Sequence, residues 1–439
     1  MLVTRSNQKI IFKSFESSYI SALLGPRRVG KSTLTQAFVS LFPEKNWVML
    51  NMDVRAERLR IEAEQLEALL IERGRKQISP ESPLWIAIDE AQKCPALFEQ
   101  IKVLYDRFKG TPALKFILTG SGFLSLHQLA AETLAGRIEL HHLREFNLRE
   151  ALALKEQKNE EGRPSLLDAL FRSSDIPALE EIHSQTLPDR IPLQERLREQ
   201  LIWGGLPEVL QTEDTEGRIA YLGNYLQTYL EKDVRDIPTV SDLGLYQRMM
   251  EIIAQQTGSV REDKRIVDAL GCSRDTLKKY RGYLEATLVY RELFPFIGSS
   301  LKRLVKSPKG YITNNGLLSY LTGIYDLNAL EKTGAVGHRF ENWALREIQI
   351  SLDRDPRQSE IYYWRTSGNV EVDLVVQKQP RVFPFEVTYS SQKDPRKVKH
   401  LQQFLRAEKS AERGFYIYNG EWKWDAESRV LFLPSWALG

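Results

Sequence analysis

Cysteine is scarce in this chain: 439 residues contain two, Cys94 and Cys272, with no paired spacing. That excludes a disulfide framework and a cysteine-based zinc site, and leaves both as small buried or half-buried residues. Long apolar runs are lacking too. No stretch reaches the roughly 18 apolar residues of a membrane span, and MLVTRSNQKIIFKSF at the N-terminus has polar breaks where a signal peptide needs an apolar core. A cytoplasmic protein without membrane contact is expected. Charge of one sign is missing as well: 61 basic and 58 acidic residues leave a formal net charge of +3, which alone says little about nucleic acid. What is present is an ordinary globular mixture, 42% hydrophobic and 27% charged. Its length suits about two to four domains.

Up to about residue 145, short apolar runs alternate with helical stretches. Tyr19–Leu24, Trp47–Asn51, Leu84–Ile88 and Lys115–Leu118 read as strands, with Arg137–Leu140 a weaker fifth. Helix-like segments lie between them: Lys31–Leu41, Val54–Glu72 and Ala96–Phe108. Such alternation predicts an α/β domain built on a parallel sheet. From Glu150 to about Glu199 the pattern turns polar and helical, with a surface loop expected over Gln157–Pro164. Gly204-Gly205-Leu206-Pro207 breaks it. Asp263–Leu270, a glycine turn at Gly271-Cys272-Ser273 and Arg274–Thr287 have the skeleton of a helix-turn-helix. Beyond Pro295, a helix at Gly337–Leu352 and strands at Ile361–Trp364, Val370–Val376, Phe383–Val387, Gly414–Tyr418 and Val430–Leu433 predict a second α/β domain.

Gly25-Pro26-Arg27-Arg28-Val29-Gly30-Lys31-Ser32, followed by Thr33, fits G-x-x-x-x-G-K-[ST] between an apolar strand and a helix. Glycines let successive N–H groups turn toward phosphates at the positive end of a helix dipole. Lys31 would meet the β- and γ-phosphates of ATP, and the Ser32 hydroxyl would ligate Mg²⁺. Leu84–Ile88 carries Asp89 and Glu90 to its C-terminal end, where open α/β sheets bind ligands. Asp89 is the expected magnesium carboxylate, and Glu90 the base that orients and deprotonates water. Ser121, after the strand ending in Thr119-Gly120, is a candidate γ-phosphate sensor. Arg137 is a candidate arginine finger, in cis or from a neighbouring subunit, with Arg28 a weaker rival.

GPRRVGKS, IDEAQKCP, ILTGS, LAGRIEL and GGLPE, then YLEKDVRDI, KKYRGYLEATLVYREL and KSPKGYITNNGLLSYL, resemble bacterial and archaeal AAA-superfamily ATPases with a C-terminal DUF4143 domain. The resemblance covers nearly the whole chain. It implies a sheet of order 5-1-4-3-2, a helical lid, a winged helix and a terminal domain shaped like a restriction endonuclease. It also likens Gly205-Leu206-Pro207 to a turn that approaches adenine. The implied division is 1–200 for the ATPase domain with a polar insertion near 155–195, 201–298 for lid and winged helix, and 299–439 for the terminal domain.

A metal-dependent nuclease of that shape needs a helix carboxylate, a strand aspartate, and a glutamate two residues before a lysine. Glu341, Asp373 and Glu386 occupy the acidic places, but Thr388 stands where the lysine belongs. Without that charge a degenerate site, serving binding or packing, is expected; Lys378 or Lys393 are the candidates to migrate into the role. Asn314 also stands where the family often has an acid. For DNA, the candidates are Arg274, Lys278, Lys279 and Arg281 on the second helix of the helix-turn-helix, with Tyr280, Tyr283 and Leu284 facing the core. Basic clusters also occur at Lys302, Arg303, Lys306 and Lys309, and at Arg396, Lys397, Lys399 and His400. The leading expectation is a Mg-dependent, homo-oligomeric ATPase that engages DNA. The alternatives are a signalling ATPase with a protein partner and an ATP-gated nuclease.

Overall fold

The computed structural model describes residues 3–17, 20–75, 77–111, 113–121, 132–158, 165–173, 175–235, 237, 240, 242–297, 307–355, 359–368 and 370–439. Most of the expected 157–164 loop, and Lys302, Arg303 and Lys306, lie outside them. The chain divides into two compact units: Arg5–Glu145 with Ala286–Leu288, and Met1–Thr4 with Phe146–Glu285 and Val289–Gly439.

The first unit is a parallel sheet of β1 (Ile20–Leu24), β2 (Asn46–Asn51), β3 (Leu84–Asp89), β4 (Leu114–Gly120) and β5 (Ile138–His142). Its order, β2-β3-β4-β1-β5, is the 5-1-4-3-2 arrangement that the resemblance implies. The strands are apolar because helices cover them: Ala22, Leu24, Ile86, Ile88 and Leu118 are buried with Leu97, Phe98 and Ile101 of the Ala96–Phe108 helix. Two expectations shift. The Val54–Glu72 helix is two, Arg55–Glu62 and Leu66–Gly74, because Glu64 takes a left-handed φ of 57° between them. The fifth strand runs on to His142.

In the second unit, β6 (Tyr290–Leu293) and β7 (Lys309–Ile312) form an antiparallel pair after the helices Asp263–Leu270 and Arg274–Ala286. The large sheet joins β8 (Glu360–Arg365), β9 (Glu371–Lys378), β10 (Arg381–Thr388), β11 (Gly414–Tyr418), β12 (Lys423–Asp425) and β13 (Val430–Pro434) in the order β12-β13-β11-β10-β9-β8. β10, β11 and β13 are parallel neighbours; the outer strands are antiparallel. The parallel β10–β11 step needs a crossover, supplied by the Pro395–Ala407 helix, which sequence periodicity did not reveal. The Val336–Leu352 helix is buried on every side from Arg339 to Leu352. Leu148, Leu152, Leu166, Leu170, Leu193 and Leu197 share its core with the large sheet, so the stretch read as part of the N-terminal domain packs with the C-terminal strands.

Candidate functional site

The loop after β1 turns on two requirements. A Cβ on Gly25 would stand 2.1 Å from the Leu143 carbonyl oxygen, so only glycine allows that approach. Arg28 and Gly30 have left-handed φ values of 62° and 99°, and Gly30 opens the Lys31–Leu41 helix. Buried Arg5 secures the loop by donating to the Val29 carbonyl at 2.8 Å and to the carbonyls of Arg144 (2.5 Å) and Glu145 (3.4 Å). No local pattern announces Arg5, because its partners are scattered along the chain. Val29 is buried, Pro26, Arg27 and Gly30 half-buried, and Arg28, Ser32 and Thr33 exposed.

Lys31 curls back, its Nζ donating to the Gly25 and Pro26 carbonyls at 2.9 and 2.8 Å. By helix geometry its first amides have no acceptor inside the helix. Ser32 donates to Asp89 Oδ2 at 2.8 Å, and Thr119 at the end of β4 donates to Asp89 Oδ1. The adjacent Glu90 has a left-handed φ of 53°, a strained conformation for a non-glycine residue. Its Oε2 accepts from Ser121 at 3.0 Å and from Gln92 Nε2. The structure thus brings Ser32, Asp89, Glu90 and Ser121 to one sheet edge and adds Thr119 and Gln92 to them. A hydroxyl and a carboxylate held 2.8 Å apart suit a hard divalent ion that keeps several waters and phosphate oxygens of its own. Arg137 pairs with Asp106 through two bonds of 2.8 and 2.9 Å on the exposed surface, and that bond holds Asp106 below its usual carboxylate range. Pro207 begins the Pro207–Gln211 helix, after Gly204 at φ 69°, in the second unit.

Comparison with known proteins fits this geometry. Residues 17–152 match the AAA domain. Residues 194–328 match a domain of unknown function, DUF8612, and residues 336–438 match DUF4143, also of unknown function. The uncharacterized proteins Rv2008c of Mycobacterium tuberculosis and Mb2031c of Mycobacterium bovis are each 29% identical over 94% of this chain and 79% of theirs. Among solved structures, the Walker-type ATPase PABY2304 of Pyrococcus abyssi is similar at TM-score 0.45 and 18% identity, covering 73% of this chain and 98% of its own. The Thermotoga maritima RuvB Holliday junction branch migration motor is similar at TM-score 0.31 and 15% identity, covering 66% and 89%. With TM-scores under 0.5, the strand order itself remains the better description of the fold. A P-loop stretch similar to the AAA domain is therefore followed, in a separate part of the chain, by one similar to DUF4143.

The acids of that second domain are arranged otherwise. Asp373 on β9 and Glu386 on β10 both face Lys397 of the crossover helix, whose Nζ lies 2.7 Å from Asp373 Oδ2 and 3.1 Å from Glu386 Oε2. Glu341, on the buried helix, meets Lys309 at 3.3 Å and accepts from Tyr311. Lys309 also reaches Glu371 at 2.6 Å. Among the described residues no three metal-capable side chains gather as a metal group. Burial, then the charge of Asp373, pushes the Glu386 carboxyl well above its ordinary range. Burial would raise Asp373 too, but Lys397 and Lys309 hold it well below. Both lysines are raised, because the acids around them outweigh the burial that opposes charge.

Several expectations are corrected here. Lys378 pairs with Asp355 at 2.6 Å and Lys393 lies 3.8 Å over the Phe432 ring, so neither migrates to the acids; Lys397, read as a surface cation, does. Lys309, also read as part of a surface cluster, is buried. Thr388 accepts from the Tyr416 hydroxyl at 3.1 Å, and Asn314 caps the Asn315–Thr322 helix. Arg281, grouped with the DNA-facing cations, is buried and bonds Asp263 at 2.6 and 3.1 Å, whereas Arg274, Lys278 and Lys279 are exposed. Tyr280 and Leu284 are buried and Tyr283 half-buried, on the core side.

Proposed function

We propose that this chain is a Mg²⁺-dependent ATPase of the AAA type that engages DNA through the winged helix expected within residues 201–298 and through its C-terminal domain. The observation that carries the ATPase reading is the set of polar groups at the ends of β3 and β4: Asp89 holding Ser32 and Thr119, beside Glu90 holding Ser121. Lys31 and the amides of residues 25–33 would bind the phosphates, Ser32 and Asp89 would hold the magnesium, and Glu90 would take the proton of the attacking water. Bound Mg²⁺ would neutralise charge developing on the phosphates. Arg137 as a trans finger requires it to leave Asp106, its partner on the exposed surface, an exchange that solvent screening of the pair permits.

Glu90→Gln is the direct test. It should retain ATP binding, measured by fluorescent-nucleotide titration, while hydrolysis falls by about 10² or more. Wild-type turnover by a folded Glu90→Gln protein would remove the assigned base.

The DNA part rests on exposed Arg274, Lys278 and Lys279, and the division into ATPase, lid with winged helix, and endonuclease-like domain is retained as part of the proposal. Leu41, Met49, Val54 and Leu59, each more than 40% exposed on or beside edge strand β2, support a second reading, assembly with like subunits or another protein. An ATPase rate per subunit that rises with protein concentration would favour it.

A further inference from the structure

The C-terminal acids pose a question separate from ATP. The resemblance implies a divalent ion among Glu341, Asp373 and Glu386, yet the side chains do not fit one. Glu341 is engaged by Lys309 and Tyr311. The remaining oxygens converge on a different point: Asp373 Oδ2 at 2.7 Å, the Val387 carbonyl at 2.7 Å and Glu386 Oε2 at 3.1 Å all surround Lys397 Nζ. Two carboxylates and a carbonyl are hard-oxygen donors of the kind that cations select. Their spacing is that of charge-assisted N–H···O contacts, not the roughly 2.0–2.1 Å of magnesium. An ammonium has three N–H groups, and three oxygens are offered.

Both sides of this arrangement are anchored. The Val387 amide donates to Asp373 Oδ2 at 2.8 Å, fixing that carboxylate against the neighbouring strand. The helix bearing Lys397 is capped by Asp394 and packs buried Leu401, Phe404 and Leu405 into the apolar layer with Val375 and Tyr416. Lys397 therefore enters from a rigid element, in its first turn. Glu386 is 1% exposed, with Lys397 Nζ 3.1 Å from its Oε2 and His400 Nδ1 3.4 Å from its Oε1, so the ammonium is the permanent cation set against this buried carboxyl.

We propose that Lys397 is the resident cation of this oxygen cage, filling the place of a divalent ion, and that the cage admits such an ion only when the lysine is removed. The lysine absent from position 388 is then not replaced by a catalytic one; a lysine replaces the metal. Mn²⁺ binding by the full chain without nucleotide, followed by electron paramagnetic resonance and thermal unfolding, tests this. Wild-type binding should be the same with and without Glu386→Gln. Lys397→Ala should gain one Mn²⁺ per chain, at least tenfold tighter than any wild-type site, and Lys397→Ala with Glu386→Gln should lose it. If Lys397→Ala does not fold alone, Mn²⁺ should restore its folding. Three results would overturn the assignment: wild-type Mn²⁺ binding abolished by Glu386→Gln, a folded Lys397→Ala that gains no ion, or an unfolded one that Mn²⁺ does not rescue.

Discussion

The P-loop and the C-terminal acid cluster use the same chemical groups, lysine and carboxylate, to opposite ends. In the first, Lys31 bonds the Gly25 and Pro26 carbonyls of its own loop, and the acids hold hydroxyls; Ser32 and Thr33 are open to solvent. In the second, each acid faces a lysine, and Lys309, Glu341, Asp373 and Glu386 are all under a tenth exposed while Lys397 is 26% exposed. Charge satisfied by replaceable partners is available to a ligand. Charge satisfied internally is structural, because removing one partner strands the other in a medium that solvates it poorly.

One pair of substitutions should separate the two most sharply. Lys31→Ala should abolish ATP turnover, while costing about 1 kcal/mol of stability from two lost bonds to carbonyls. Lys309→Met removes the lysine from buried Glu341, which keeps its bond from Tyr311, and leaves Glu371 with Arg365 at 3.8 Å, and should cost about 3 kcal/mol in denaturant unfolding. Its effect on ATP turnover at a temperature where it remains folded should be small. Equal stability losses at both lysines would erase the distinction.

That contrast also explains what was legible in the sequence. The P-loop is contiguous, and a contiguous backbone signature dictates its local shape; Lys31–Leu41 and Ala96–Phe108 were read to the residue for the same reason. Ser121 and Asp89 followed from apolar runs whose ends must meet at one sheet edge. Arg5 did not, since an arginine whose carbonyl partners, Val29, Arg144 and Glu145, are scattered along the chain leaves no period. Lys397 was misread for a related reason. Arg396, Lys397, Lys399 and His400 look alike as a basic run, and only a helix of period 3.6 aims Lys397 inward while Arg396 stays 84% exposed. The helical stretch 150–199 looked polar because its leucines are spaced for one face, and that face meets the C-terminal core.

The same distinction divides Arg281 from its neighbours on the Arg274–Ala286 helix. Arg281→Ala takes one of two arginines from Asp263 and Glu292, which Arg261 still reaches at 2.9 and 2.7 Å, so the cost should be that of the lost charged hydrogen bonds, about 2 kcal/mol. Lys278→Ala with Lys279→Ala should change stability by about 0.5 kcal/mol or less. If those lysines meet phosphates, DNA affinity should weaken across sequences and the salt slope should fall by about 1.8, two contacts' worth. Unchanged affinity and slope in the double variant would leave this helix a packing element.

The smallest effect concerns a buried titratable group with no acid bonded to it. His183 is buried, its ring stacked 5.0 Å from Trp422 and 5.3 Å from Trp436. Burial lowers its pKa below the ordinary 6.5; Glu421 and Glu180 oppose that shift, and Arg190 adds to it. A basic group with a depressed folded pKa favours the native state in its neutral form. Its contribution is therefore present above about pH 6.5 and fades as pH falls toward the folded value, because the unfolded chain takes up the proton first. One proton sets a ceiling of about 1.4 kcal/mol per pH unit on the slope. Denaturant midpoints for the second unit should fall between pH 7 and pH 5, and His183→Gln should flatten that part of the profile while losing some stacking at both values. Acid-sensitive carboxylates contribute to both proteins alike, so the difference between the two profiles isolates the imidazole. A difference that stays constant with pH would mean His183 is protonated as readily in the folded state as in the unfolded chain, and that the indoles beside it exclude too little water to matter.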